Sequence, residues 1–98
     1  MLANVESSAM LCVHLLKMLD NRTLTMGQAS RAKAHCSKAA RETIALAREC
    51  MGGNGILLEN RVIKSMMDLE ALYTYEGTYD INALISGREL TGGLPAFK

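Results

Sequence analysis

Tryptophan is absent from this 98-residue chain, and phenylalanine and proline occur once each, as Phe97 and Pro95. The scarcity of large aromatic side chains leaves aliphatic and small residues to build whatever core there is. Cysteine is present but unpaired in pattern. Cys12, Cys36 and Cys50 are odd in number, far apart and without a CxxC spacing, which argues against a disulfide framework and a zinc site. His14 and His35 have no partner at metal-ligand spacing, so no metal is expected. Neither charge sign dominates, because 11 basic residues are scattered among 10 acidic ones for a net charge of +1. Nothing in that balance speaks for nucleic acid or an anionic membrane surface as a partner. No uninterrupted apolar run approaches the roughly 18 to 20 residues of a membrane span. The N-terminal "MLANVESSAMLCVHLL" lacks the basic start of a signal peptide and carries Glu6 early, so it reads as a helix of the domain.

What is present is helical periodicity. The apolar fraction of 49% with 21% charged residues fits one small globular domain. Leu2, Val5, Ala9, Cys12, Leu16 and Leu19 recur at three-four spacing and lay an apolar stripe along a first helix. Met10, Leu11, Val13, Leu15 and Met18 widen it beyond one face, which calls for neighbours on more than one side. "DNRT" ends that helix, and "TMGQ" opens the next with a capping box, Thr25 and Gln28 each satisfying a free backbone N–H. Ala29, Ala32, Cys36, Ala39, Thr43, Leu46 and Cys50 carry the second helix to about Met51 on a stripe of small residues. "GGNG" stops it with a left-handed cap and a flexible loop. A shorter third helix is expected from about Asn60 to Leu69. "EALYTYEG" then reads as an extended linker to a fourth helix, capped by Thr78 and stopped by "TGG" near Gly92. No strand, repeat or low-complexity tract is evident. The fold class is all-α, an antiparallel helical bundle whose core is thin for a domain on its own.

Two glycine-bearing segments invite chemistry. "ECMGGNG", Glu49 to Gly55, is either a helix cap or a surface where bare backbone meets a phosphate or a ribose. It closes a helix and follows no strand, which excludes a Rossmann fingerprint and a P-loop. "YEGT" places Glu76 ahead of a helix, where a carboxylate is stabilised by the helix dipole. The alternative is a general base: Gly77 removes bulk beside it, and tyrosines that exclude water would raise its proton affinity. Spacing alone leaves both pairs of readings open.

Taken together, "ARECMGGNGILLE", "DLEALYTYEGTYDIN" and "GRELTG" resemble the C-terminal part of the acyl-CoA dehydrogenase family, nearest its glutaryl-CoA dehydrogenase and short-chain acyl-CoA oxidase branch. The resemblance covers nearly the whole chain. It implies that residues 1–98 form a partial C-terminal four-helix domain, without the family's N-terminal helical and middle β-domains. It also implies FAD as cofactor, an acyl-CoA substrate undergoing α,β-dehydrogenation, and self-association as a dimer or tetramer. Glu76 is then the base that takes the α-proton, and Gly77 lines the substrate pocket. Thr78 and Asp80 match positions that touch FAD. Glu49, Cys50, Met51, Gly52 and Gly53 match a stretch that meets the dinucleotide of a neighbouring subunit, and Phe97 matches an aromatic near the cofactor. Many relatives carry glutamine where this chain has Glu49. The electron acceptor is expected to be an electron-transfer flavoprotein or oxygen. "PAFK" is no recognisable peroxisomal address; the compartment stays unknown from these residues, with the mitochondrial matrix or a bacterial cytoplasm expected ahead of a peroxisome. The isolated chain is expected to be inactive. A non-enzymatic helical interaction module derived from the same family is the rival reading.

Overall fold

A long central helix organises the chain, because it alone touches every other helix. The computed structural model describes residues 1–93 as four α-helices: α1 Leu2–Asp20, α2 Met26–Cys50, α3 Val62–Thr74 and α4 Tyr79–Leu90. Short 3₁₀ turns at Gly52–Ile56 and Leu58–Asn60 join α2 to α3, and the described residues contain no strand. All three other helices lie antiparallel to α2. Asn4 and Ser8 meet Ala39 and Cys36 on one side. Glu70 meets Arg41 on another, and Glu89 meets Gly27 on a third. Along α2, α3 flanks the C-terminal half and α4 the N-terminal half.

Close approach follows from small side chains. The residues buried on α2 are Gly27, Ser30, Ala32, Ala34 and Ala39, and no large side chain is fully buried among the described residues. The body measures 49 × 33 × 17 Å, with a radius of gyration of 15.9 Å. A compact chain of this length would have a radius near 13 Å. The structure is therefore a slab about two helices thick, not a closed bundle.

Local chemistry sets the helix ends. Thr25 and Gln28 form the expected capping box, with Gln28 N donating to Thr25 Oγ1 at 3.3 Å and Thr25 N donating to Gln28 Oε1 at 2.9 Å. Glu89 joins that end of α2, accepting from Gly27 N at 2.9 Å and from the Thr25 hydroxyl at 2.7 Å. A Cβ on Gly27 would sit 2.6 Å from the Glu89 carboxyl carbon, so glycine is what lets α4 close on the positive end of α2. Thr78 caps α4, and Gly92 ends it in the left-handed conformation at φ +73°.

Three expectations need correction. First, α3 begins at Val62 and runs through Thr74, so most of the expected linker is helix. Arg41 explains the extra turn: it pairs with Glu70 at 2.6 Å and stacks 4.2 Å from the Tyr73 ring centroid. Second, the "GGNG" segment is a 3₁₀ turn, not a loose loop. Gly55 is buried against α2, where a Cβ would collide with the Arg48 carbonyl. Third, the apolar stripe read on α1 is not its packed face. Leu2, Val5, Leu16 and Leu19 are each more than half exposed, whereas Asn4, Ser8, Leu11, Leu15 and Met18 are half-buried toward α2. In addition, α1 as one continuous 19-residue helix is long and apolar enough to cross a bilayer by length and composition. Its Asn4, Glu6, Lys17 and Asp20, and its docking on α2, are those of a domain helix.

Candidate functional site

The turn between α3 and α4 is four residues long, Tyr75 to Thr78, and is held by side chains of both α2 and α4. Tyr75 ends α3 in an extended conformation, Glu76 follows at φ +54°, and Gly77 at φ +93°. A left-handed glutamate costs on the order of 1 kcal/mol and persists only where neighbours fix it. Lys33, about two turns into α2, donates to the Tyr75 carbonyl at 2.8 Å, to the Tyr73 carbonyl at 3.4 Å, and to the Gly77 carbonyl. Asn82, 5% exposed on α4, donates to the carbonyls of Gly77 at 2.7 Å and Thr78 at 3.0 Å. Thr78 Oγ1 accepts from Ile81 N at 3.4 Å.

Gly77 is needed here for two reasons. Its φ disfavours a side chain, and a Cβ would lie 2.8 Å from Asn82 Nδ2. The bare side of this glycine therefore faces the buried amide. Glu76 itself is exposed, and so is Tyr75 at 55%. The other two tyrosines stack on each other instead, with ring centroids 6.1 Å apart and planes 8° from parallel. Lys38 lies over Tyr79 and Arg41 over Tyr73. The described residues thus fix the backbone on either side of Glu76 and leave its carboxylate exposed. Thr78 is half-buried, and Asp80 is exposed in the first turn of α4.

The second segment lies at the far end of α2. Glu49, Cys50, Gly52 and Gly53 are exposed and Met51 is half-buried. Gly52 takes the left-handed conformation at φ +54°, and a Cβ at Gly52 or Gly53 would meet open space. From Lys33 to Cys50 along α2 is about 25 Å, at roughly 1.5 Å per residue. One copy of the chain therefore separates the Glu76 turn from the glycine end; Phe97 lies outside the described residues.

Lys33 and Asn82 escaped the sequence reading. Asn82 had a signal, a polar residue between Tyr79 and Ser86 on the inward face of α4. Lys33 had none, since its partners lie 40 to 44 residues away.

Comparison with known proteins bears on the family of the chain. Residues 1–91 match the family model for the acyl-CoA dehydrogenase C-terminal domain. The chain is similar to the crystal structure of glutaryl-CoA dehydrogenase from Mycobacterium smegmatis, at 36% identity and a TM-score of 0.86. That likeness covers 91% of this chain and 23% of that one. It is also similar to the caffeyl-CoA reductase–Etf complex subunit CarC of Acetobacterium woodii, 27% identical over 85 residues. Here the match covers 87% of this chain and 22% of the relative, so the chain spans less than a quarter of the proteins it resembles.

Proposed function

The chain belongs to the acyl-CoA dehydrogenase family, and from that premise we propose that it is the base-bearing domain of a longer enzyme that dehydrogenates an acyl-CoA thioester. The observation that carries this reading is the Glu76 turn. A carboxylate at a strained, over-determined backbone position, with Lys33 and Asn82 fixing the residues around it, is what a positioned proton acceptor requires.

The α-proton of a thioester is weakly acidic, so its removal needs an aimed carboxylate and a polarised carbonyl. Glu76 takes that proton on its carboxylate. Its own backbone N–H is the donor expected to polarise the thioester carbonyl, and Gly77 forms the wall of the substrate site. FAD, when bound, supplies the acceptor for the β-hydride. The residues proposed to meet it fit in part. Gly52 and Gly53 offer bare backbone at a solvent-facing corner. A helix C-terminus with Glu49 beside it is poorly suited to a pyrophosphate and better suited to a ribose hydroxyl or an adenine amine. Thr78 and Asp80 stand beside the base, where a flavin-side contact is expected, and Phe97 is assigned to the same cofactor.

The separation between the two segments supports an assembly in which the glycine end of one copy serves the dinucleotide held at a neighbouring copy. By analogy with the relative that forms an Etf complex, an electron-transfer flavoprotein is the proposed acceptor. The rival reading, a helical interaction module without activity, is favoured by one observation, the exposed apolar side of α1. Glu76→Gln in the full-length flavoprotein separates the two. Flavin content is expected to be retained and acyl-CoA dehydrogenation to fall by at least about 10³-fold; turnover near the parent rate would remove Glu76 from the mechanism. The 98-residue chain alone is expected to show neither flavin absorbance nor acyl-CoA-dependent reduction of an artificial acceptor.

A further inference from the structure

We infer that Lys33 is a positioning residue for the Glu76 turn: its ammonium gathers backbone carbonyls from both sides of the glutamate and thereby fixes where the carboxylate and the amide point. This rests on the reading of Glu76 as the base. An ammonium has three N–H donors and no acceptor, and three carbonyls converge on Lys33 Nζ, those of Tyr73, Tyr75 and Gly77. The Tyr73 carbonyl belongs to the last turn of α3, the negative end of that helix. The Gly77 carbonyl lies just beyond Glu76. One cation on a different helix thus spans the break between α3 and α4, and Glu76 lies between two of the carbonyls it holds, those of Tyr75 and Gly77.

The arrangement is specific to lysine. Charge-assisted hydrogen bonds to partly buried carbonyls are about twice as strong as neutral ones. A guanidinium presents its donors in a planar fork and cannot converge on three carbonyls around one point. Asn82 restrains only the far side of the turn, through Gly77 and Thr78. Without Lys33, the tie between Tyr75 and Gly77 is lost, and Glu76 has no reason to keep φ at +54°. The side chain would still be a carboxylate, and the substrate would still bind through its remote parts. The cost falls on the alignment of base and α-proton, where an error near 1 Å is worth on the order of 100-fold in rate.

The test is Lys33→Met and Lys33→Arg in the full-length flavoprotein, with rates expressed per bound flavin. Lys33→Met is expected to lower kcat about 30-fold and to leave KM for the acyl-CoA within about three-fold, with Lys33→Arg recovering part of the loss. A purely structural lysine would reduce the yield of flavin-loaded protein and leave kcat per flavin unchanged, and that result overturns the inference. If Lys33→Met does not fold, Lys33→Arg decides: kcat lowered at constant KM supports the role, and parent kcat overturns it. Glu76→Gln run in parallel separates the two readings. If it keeps turnover, the base assignment fails and takes this role with it; if it abolishes turnover while Lys33→Met does not, only the role of Lys33 fails.

Discussion

The two glycine-bearing turns singled out for chemistry are built on opposite principles. At Tyr75–Thr78, the carbonyls of Tyr75, Gly77 and Thr78 have side-chain partners, Lys33 of α2 or Asn82 of α4, and the glycine is wedged against a buried amide. At Met51–Gly53, the glycines face open space and nothing from α1, α3 or α4 fills the position where a Cβ would be. The same residue type therefore does two jobs. In the first turn glycine permits a conformation that the rest of the chain enforces. In the second it leaves a corner bare, the feature on which the proposed cofactor contact rests. A base has to be held by its own protein before the substrate arrives, whereas a docking surface is completed by its partner.

Gly77→Ala tests the first half of that contrast and carries the largest expected effect. The positive φ costs about 1–2 kcal/mol for a residue with a Cβ. Displacing Asn82 adds about 1–3 kcal/mol for the hydrogen bonds it loses while buried. A loss of about 3–4 kcal/mol in denaturant unfolding is expected. Combining Gly77→Ala with Asn82→Ala sharpens the point, since the clash disappears and the two effects should add to less than their sum. Full additivity would mean the wedge between glycine and amide is absent.

Gly52→Ala and Gly53→Ala test the other half. Gly52 has φ at +54° and open space, so alanine there should cost about 1 kcal/mol from backbone strain alone. Gly53 has neither a positive φ nor a neighbour, and Gly53→Ala is expected to change stability by less than about 0.5 kcal/mol. In a flavin-loaded full-length protein both should weaken cofactor retention, despite their small effects on folding. A large stability loss at Gly53 with unaltered flavin retention would make this turn another structural cap.

Much of the fold was legible because it is written locally. The capping box at Thr25, the cap at Thr78 and the stop at Gly92 are read within a few residues, and each stands where the pattern put it. The last turn of α3 was not legible, because Arg41 stabilises it through Glu70 and Tyr73 from another helix. The orientation of α1 was not legible either. A helix apolar on several sides does not reveal which side α2 takes, and here a polar pair, Asn4 and Ser8, faces the neighbour while Val5 and Leu16 are left out. As for the candidate site, the positions of Glu76 and Gly77 emerged from the motif. The reason they are held there did not, since Lys33 is distant in sequence and sits on a helix whose pattern spoke only of packing.

The thiols offer the mildest probe of the same contrast. Cys50 is exposed beside the open glycine turn, whereas Cys36 is half-buried on α2 between α1 and the held turn. Burial raises the Cys36 thiol above its ordinary value, partly offset by the Ser8 side-chain hydroxyl, with Cys12 nearby adding to the rise. Because Cys50 is open to solvent and Cys36 is half-buried with its thiol raised, a disulfide reagent near pH 8 should label Cys50 faster than Cys36. The raised value also sets a sign for stability. Cys36 is protonated in both folded and unfolded chains below the unfolded thiol's value of about 8.5, and its contribution is fully present there. As pH climbs past that value the unfolded chain releases its proton first, so stability falls until the folded thiol ionises too. Denaturant unfolding at pH 8 and pH 10 should therefore show a decline that Cys36→Ala makes shallower. Equal labelling of Cys36 and Cys50 would mean that α1 does not stay on α2, and that the open end of the molecule extends well beyond its glycines.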